Sequence, residues 1–132
     1  MQRMTPFLSF NGNAQEAMRF YETIFPNAKI DKLVFFEEDT PVGLKGKVFD
    51  GRMTILGGEL FFLDMPPEYP APAFTWAATL LLNCEDEKEF DHIFAGLAKE
   101  GSVLMGPEPV GNLRKGAWVT DRFGLTWQIV WE

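Results

Sequence analysis

Few side chains in this sequence combine reactive chemistry with a spacing that would concentrate it. The chain has one histidine, His92, and one cysteine, Cys84. A lone imidazole cannot build a multi-histidine metal site within one chain. Cys84 precedes a helix-like run, and a helix start lowers a thiol pKa. Glu85 and Asp86 follow it directly and oppose that effect, so a packed, unreactive thiol is expected. The closing run "LTWQIVWE" alternates: Leu125, Trp127, Ile129 and Trp131 fall on one face, Thr126, Gln128, Val130 and Glu132 on the other. Gln128 therefore places an amide in the middle of the second face. It either anchors a ligand through one donor and one acceptor, or bonds a neighbouring group and fixes register. Among the acids, Asp121 opens the turn "DRFG", where its side chain is expected to bond its own backbone. Glu59 and Asp64 bracket a strand-like run and are expected on a rim.

Composition narrows the partners. The 132 residues are 46% hydrophobic and 14% aromatic, enough for one well-buried domain. The formal net charge of -7 disfavours a nucleic-acid backbone. The nearest thing to a basic patch, Arg114 and Lys115 in "NLRKG", reads as a solvated loop. No apolar run is long enough to cross a bilayer, and the amino-terminal stretch lacks a secretory pattern. With a single cysteine, these features fit a cytoplasmic protein with neither membrane nor nucleic-acid partners.

The elements that must position these groups repeat. Thr5–Phe10 reads as a strand. "NGNAQEAMRFYETIFP" then reads as a helix with Ala14, Ala17, Met18, Tyr21 and Phe25 on one face. Asn13 is the expected N-cap, with Glu16 three residues on. Strand-like runs "KIDKLVFF", "KVFDGRMTIL" and "ELFFLD" follow, and Gly57-Gly58 signals a tight hairpin. The second half runs in the same order. It has a strand over Ala77–Leu82, a helix with Phe90, Ile93, Phe94 and Leu97 on its face, a box of Asp86 and Glu89, and runs "SVLM", "KGAWVTD" and "LTWQIVWE". His92 falls on a flank of that helix. The plan is βαβββ twice, with module 1 over about 1–65, a proline-rich linker over 66–72 and module 2 over about 73–132.

That plan, with "TPFLSFNGNAQEAMRFYETIFPNAKI" and "VTDRFGLTWQIVWE", resembles the vicinal oxygen chelate superfamily. More narrowly, it is similar to the PhnB-like branch, which also carries a 3-demethylubiquinone 3-methyltransferase-like label. The resemblance implies an α+β fold: paired βαβββ modules forming an open, curled mixed β-sheet cup with helices outside. In the superfamily's metal enzymes, ligands come from the first and last strands of each module. Those positions fall here near Pro6, Phe62, Ala78 or Thr79, and Gln128, which stands where a metal-binding glutamate would. That set is too poor in imidazole, thiolate and carboxylate for a divalent metal, so no metal and no other cofactor is expected. The methyltransferase label finds no Gly-rich strand-to-helix loop to support it.

The resemblance implies a protein that binds a small, partly apolar molecule in the cup, with Gln128, Phe62 and Trp118 as candidate contacts. Trp127 and Trp131, on the other face, are assigned to helix packing or an interface. Two alternatives remain open: an enzyme of the lyase, isomerase or transferase kinds found in the superfamily, and a non-catalytic sequestering protein. The apolar strands and abundant aromatics argue for a homodimer.

Overall fold

The computed structural model describes residues 2–132 and divides into two compact units, the first ending at Pro72 and the second covering Ala73–Glu132. Both have the expected α+β order.

The first unit contains β1 (Phe7–Phe10), α1 (Ala14–Ile24), β2 (Lys29–Phe35), β3 (Val48–Ile55) and β4 (Gly58–Asp64). Its sheet runs β1-β4-β3-β2, with β1 parallel to β4 and the other pairs antiparallel. The β3–β4 hairpin turns through Leu56 and Gly57, both at positive φ. Two such residues make the tight turn that matches strand twist. The two-residue period then sorts the sheet. Gly51, Met53, Leu60 and Phe62 are buried on the side that receives Ala17, Met18 and Tyr21 of α1. Asp50, Arg52, Thr54, Glu59 and Phe61 alternate with them on the other side, where no helix lies.

Asp64 was expected on a rim and is instead 2% exposed. Its Oδ1 accepts from the backbone N–H groups of Gly12 and Ala14, at 2.9 and 3.0 Å, and its Oδ2 from that of Val48 at 3.0 Å. One carboxylate thereby ties the end of β4 to the start of α1 and the start of β3. Asn13, the expected cap, makes no side-chain bond to the helix. A remote charged acceptor displaces the local neutral one because it satisfies more donors at once and complements the helix dipole. The expected linker is also anchored: the Asn11 side chain bonds both the C=O and the N–H of Ala71, at 3.0 and 2.8 Å.

The second unit repeats the topology with β5 (Thr79–Cys84), α2 (Glu87–Ala98), β6 (Ser102–Val110), β7 (Leu113–Thr120) and β8 (Thr126–Trp131). Its sheet runs β5-β8-β7-β6, with β5 parallel to β8. Here the local cap does form. Asp86 accepts from Glu89 N at 2.8 Å, and the Glu89 carboxylate accepts from Glu85 N at 3.0 Å. Phe90, Ile93 and Leu97 of α2 are buried with Leu82, Ala117, Val119, Trp127 and Ile129 of the sheet. The strand expected at "SVLM" continues through "GPEP" to Val110. The prolines are tolerated because β6 is an edge strand and its register shifts between Met105 and Glu108. Gly106 sits at that shift with φ +77, and a Cβ there would run into the Gly116 carbonyl.

The capping contrast gives a test. Asp64→Asn replaces one acceptor oxygen with a donor and leaves at least one buried N–H unpaired. It should cost about 2–3 kcal/mol of stability, while Asn13→Ala should cost under about 0.5 kcal/mol. Urea unfolding of both variants checks this, and equal losses would refute the assignment of the cap.

Candidate functional site

The helix-free face of the second sheet concentrates neutral polar groups. Strand register sets Trp118 opposite Gln128, Thr120 opposite Thr126, Thr79 beside Thr126 and Leu81 beside Gln128. These residues alternate with the buried set that meets α2, so their side chains share the other face. The Gln128 amide donates from Nε2 to Thr79 Oγ1 at 2.8 Å. The Thr120 and Thr126 hydroxyls bond each other at 2.7 Å. Leu81 is 63% exposed beside them. Thus Trp118 and Gln128, two of the residues singled out in the sequence, are neighbours. Thr79, one of the placements for the first strand of module 2, bonds the amide directly.

Phe62 is placed elsewhere. It is 1% exposed, stacks on Phe10 with ring centroids 5.7 Å apart, and lies 6.3 Å from the Tyr21 ring. It is core beneath α1, and Phe61 is the β4 aromatic on the helix-free face. The expectation erred by one residue, which in a strand reverses the face. Pro6 precedes β1 and Ala78 precedes β5; both are exposed.

The remaining candidates resolve individually. Asp121 is 3% exposed; its Oδ1 accepts from Phe123 N and Leu125 N, and its Oδ2 from the Trp127 indole N–H at 2.8 Å. That is turn chemistry, extended to hold a core tryptophan. His92 is exposed. Arg114 and Lys115, expected in a loop, belong to β7. Lys115 reaches Glu87 and Asp91 on α2, each at 2.8 Å, and these partners, Asp91 foremost, raise its pKa. Cys84 is 5% exposed, and burial, then the charges of Glu89 and Asp86, push its thiol up to about 12.

The superfamily's metal does not fit these residues. Thr79 and Gln128 offer only neutral oxygens, of which Thr79 Oγ1 already accepts from Gln128 Nε2, and the other placements carry proline, phenylalanine and alanine. Among the described residues no three His, Cys, Asp or Glu side chains gather as a metal site would require. The face holds a donor, several acceptors and an aromatic ring. That is equipment for recognising a neutral molecule.

A family model described as 3-demethylubiquinone-9 3-methyltransferase matches residues 2–130. The chain belongs to that family. A PhnB protein from Bacillus cereus is 33% identical, with a TM-score of 0.88 over 99% of this chain and 100% of that one. Protein YjdN of Escherichia coli (strain K12) is 25% identical over 138 residues, covering 96% of this chain and 92% of that protein. A glyoxylase/bleomycin resistance protein/dioxygenase domain from Frankia shares the fold, with a TM-score of 0.69 at 12% identity, over 99% of this chain and 97% of that one. That likeness shows a shared fold with the glyoxylase/bleomycin resistance protein/dioxygenase domain.

The methyl transfer in the family's name would require a nucleoside-bearing methyl donor. The two strand-to-helix junctions do not fit one. At the first, Asp64 takes the N–H groups of Gly12 and Ala14; at the second, Asp86 and Glu89 take those of Glu89 and Glu85. Backbone donors that hold a cofactor elsewhere are here bonded to the chain's own carboxylates.

The raised Cys84 pKa has two measurable consequences. At pH 8 the native thiol should be nearly inert to a chromogenic disulfide reagent and react quickly in urea. The folded pKa lies above the ordinary value of 9.0. The stabilisation is therefore full below about pH 9 and lost as pH rises toward 12. Wild-type stability should fall more steeply above pH 9 than that of Cys84→Ala; parallel curves would refute the shift.

Proposed function

We propose that the chain binds a small, uncharged, partly apolar molecule on the helix-free face of its second sheet. The molecule stacks on Trp118 and hydrogen-bonds the Gln128 amide. The observation that carries this reading is the cross-strand pairing of Trp118 and Gln128, beside three threonines and an exposed leucine. Gln128 gives one N–H to Thr79. Its second N–H and its carbonyl oxygen face a ligand, as an amide needs if it is to read a donor–acceptor pair. Recognition rather than proton transfer is favoured because the groups that converge there are an amide and hydroxyls, which do not titrate near neutrality.

The test uses nicotinamide, indole-3-carboxamide and 2-pyridone as probes, followed by ligand-observed magnetic resonance. At least one should bind. Gln128→Leu should then weaken it by about threefold to tenfold, the worth of one neutral hydrogen bond. Trp118→Ala should weaken it further. The fold should tolerate Gln128→Leu at a cost under about 1 kcal/mol, since the half-buried Thr79 hydroxyl retains access to water. A large fall in melting temperature would assign the amide to architecture. Binding that ignores both substitutions, or no binding at all, would also overturn the reading.

We further infer that the chain pairs with a second copy. Phe7, Trp76 and Leu81 are 58%, 65% and 63% exposed, an unusual share of large apolar groups for a soluble monomer. Light scattering at micromolar concentration should give about twice the chain mass, and the monomer mass would refute it.

A further inference from the structure

The helix-free face of the first sheet holds the one buried side-chain oxygen or nitrogen among the described residues without a hydrogen-bond partner: Oε1 of Glu59. Arg3 Nη1 lies 2.9 Å from it, an ion pair without a well-directed hydrogen bond. The same guanidinium lies over the Phe61 ring, 5.9 Å from its centroid, and Phe7 meets Phe61 edge-on at 6.2 Å. Arg3 reaches this place from outside the strands, with its side chain 52% exposed.

The other charges there are already committed. Asp50 accepts two bonds from Arg52, at 3.0 and 3.1 Å, and one ion pair from Lys32 at 2.9 Å. Those partners, the Arg52 bond foremost, hold its carboxyl below the usual range. Arg52 in turn lies 4.6 Å above Phe61. With Arg3 set aside, Lys32 and Arg52 balance Asp50 and Glu59. The site is then neutral overall, with one carboxylate oxygen lacking a donor and an aromatic platform beside it. A planar cation matches both features: its N–H groups satisfy the carboxylate and its face lies on the ring. Arg3 has that chemistry and takes the position with its side chain 52% exposed.

We propose that Glu59, Phe61 and Phe7 form a binding site for a small organic cation bearing a guanidinium or amidinium group, and that Arg3 occupies it as an internal competitor. The site lies in the first unit and shares no residue with the ligand face proposed for the second sheet.

The experiment measures benzamidine binding to the full chain by chemical-shift titration, with benzamide as the uncharged control. Arg3→Ala should bind benzamidine at least threefold more tightly than wild type, the scale of one exposed ion pair removed. Glu59→Gln introduced with Arg3→Ala should weaken that binding at least tenfold. Arg3→Lys, which keeps a charge, should stay near wild type. Benzamide should leave the Phe7, Glu59 and Phe61 signals of every variant unshifted, whatever it does at the second sheet. Arg3 is half-exposed, so its replacement leaves the core intact, and Phe61→Leu provides a second variant should Glu59→Gln unfold; it should also weaken benzamidine. Equal affinity for wild type and Arg3→Ala overturns the proposal. So does binding that survives the loss of the Glu59 charge, or benzamide shifting the Phe7, Glu59 and Phe61 signals as benzamidine does.

Discussion

Each half of the chain supplies one helix and one four-stranded sheet, so each helix covers only one face of its own sheet. That constraint governs where everything else goes. The two-residue period of a strand assigns alternate side chains to the covered and the helix-free face. Large apolar groups such as Phe62, Met53, Trp127 and Ile129 go under the helices. Gln128 with Trp118 in one unit and Glu59 with Phe61 in the other lie on the faces the helices leave.

Holding a helix against one face requires its start to be fixed, and the two units solve this differently. In the second, Asp86 and Glu89 close a local box around the first turn of α2. In the first, Asp64 arrives from β4, bonds three backbone N–H groups and joins α1 to two strands. Asp121 plays a related part at the turn before β8, where it joins two turn amides to the Trp127 indole. These carboxylates are thus committed to holding backbone and indole N–H donors.

The two helix-free faces differ in chemical character. Neutral hydroxyls and an amide dominate the second, whereas charges balanced in pairs around an aromatic ring dominate the first. A duplicated βαβββ plan therefore carries surfaces of unlike chemistry. Among the described residues, neither surface gathers three His, Cys, Asp or Glu side chains as a metal site would require.

The repeat, both helices, the pairing of strand runs with a final alternating strand and the opposite faces of Trp127 and Gln128 were legible from residue order. Each depends on short-range periodicity, which the chain writes directly into its sequence. The turn role of Asp121 was legible for the same reason. Three-dimensional contact decided the rest. Phe61 and Phe62 are chemically alike, and only the register of β4 against β3 and β1 says which one meets Tyr21. Asn13 has every local mark of a cap, yet Asp64, fifty-odd residues away, takes the helix start. The strand expected at "SVLM" runs on through the prolines of "GPEP", because an edge strand has no neighbour on that side to lose. Thr79 became the partner of Gln128 because β5 runs parallel to β8, a pairing between segments 49 residues apart that no local pattern encodes.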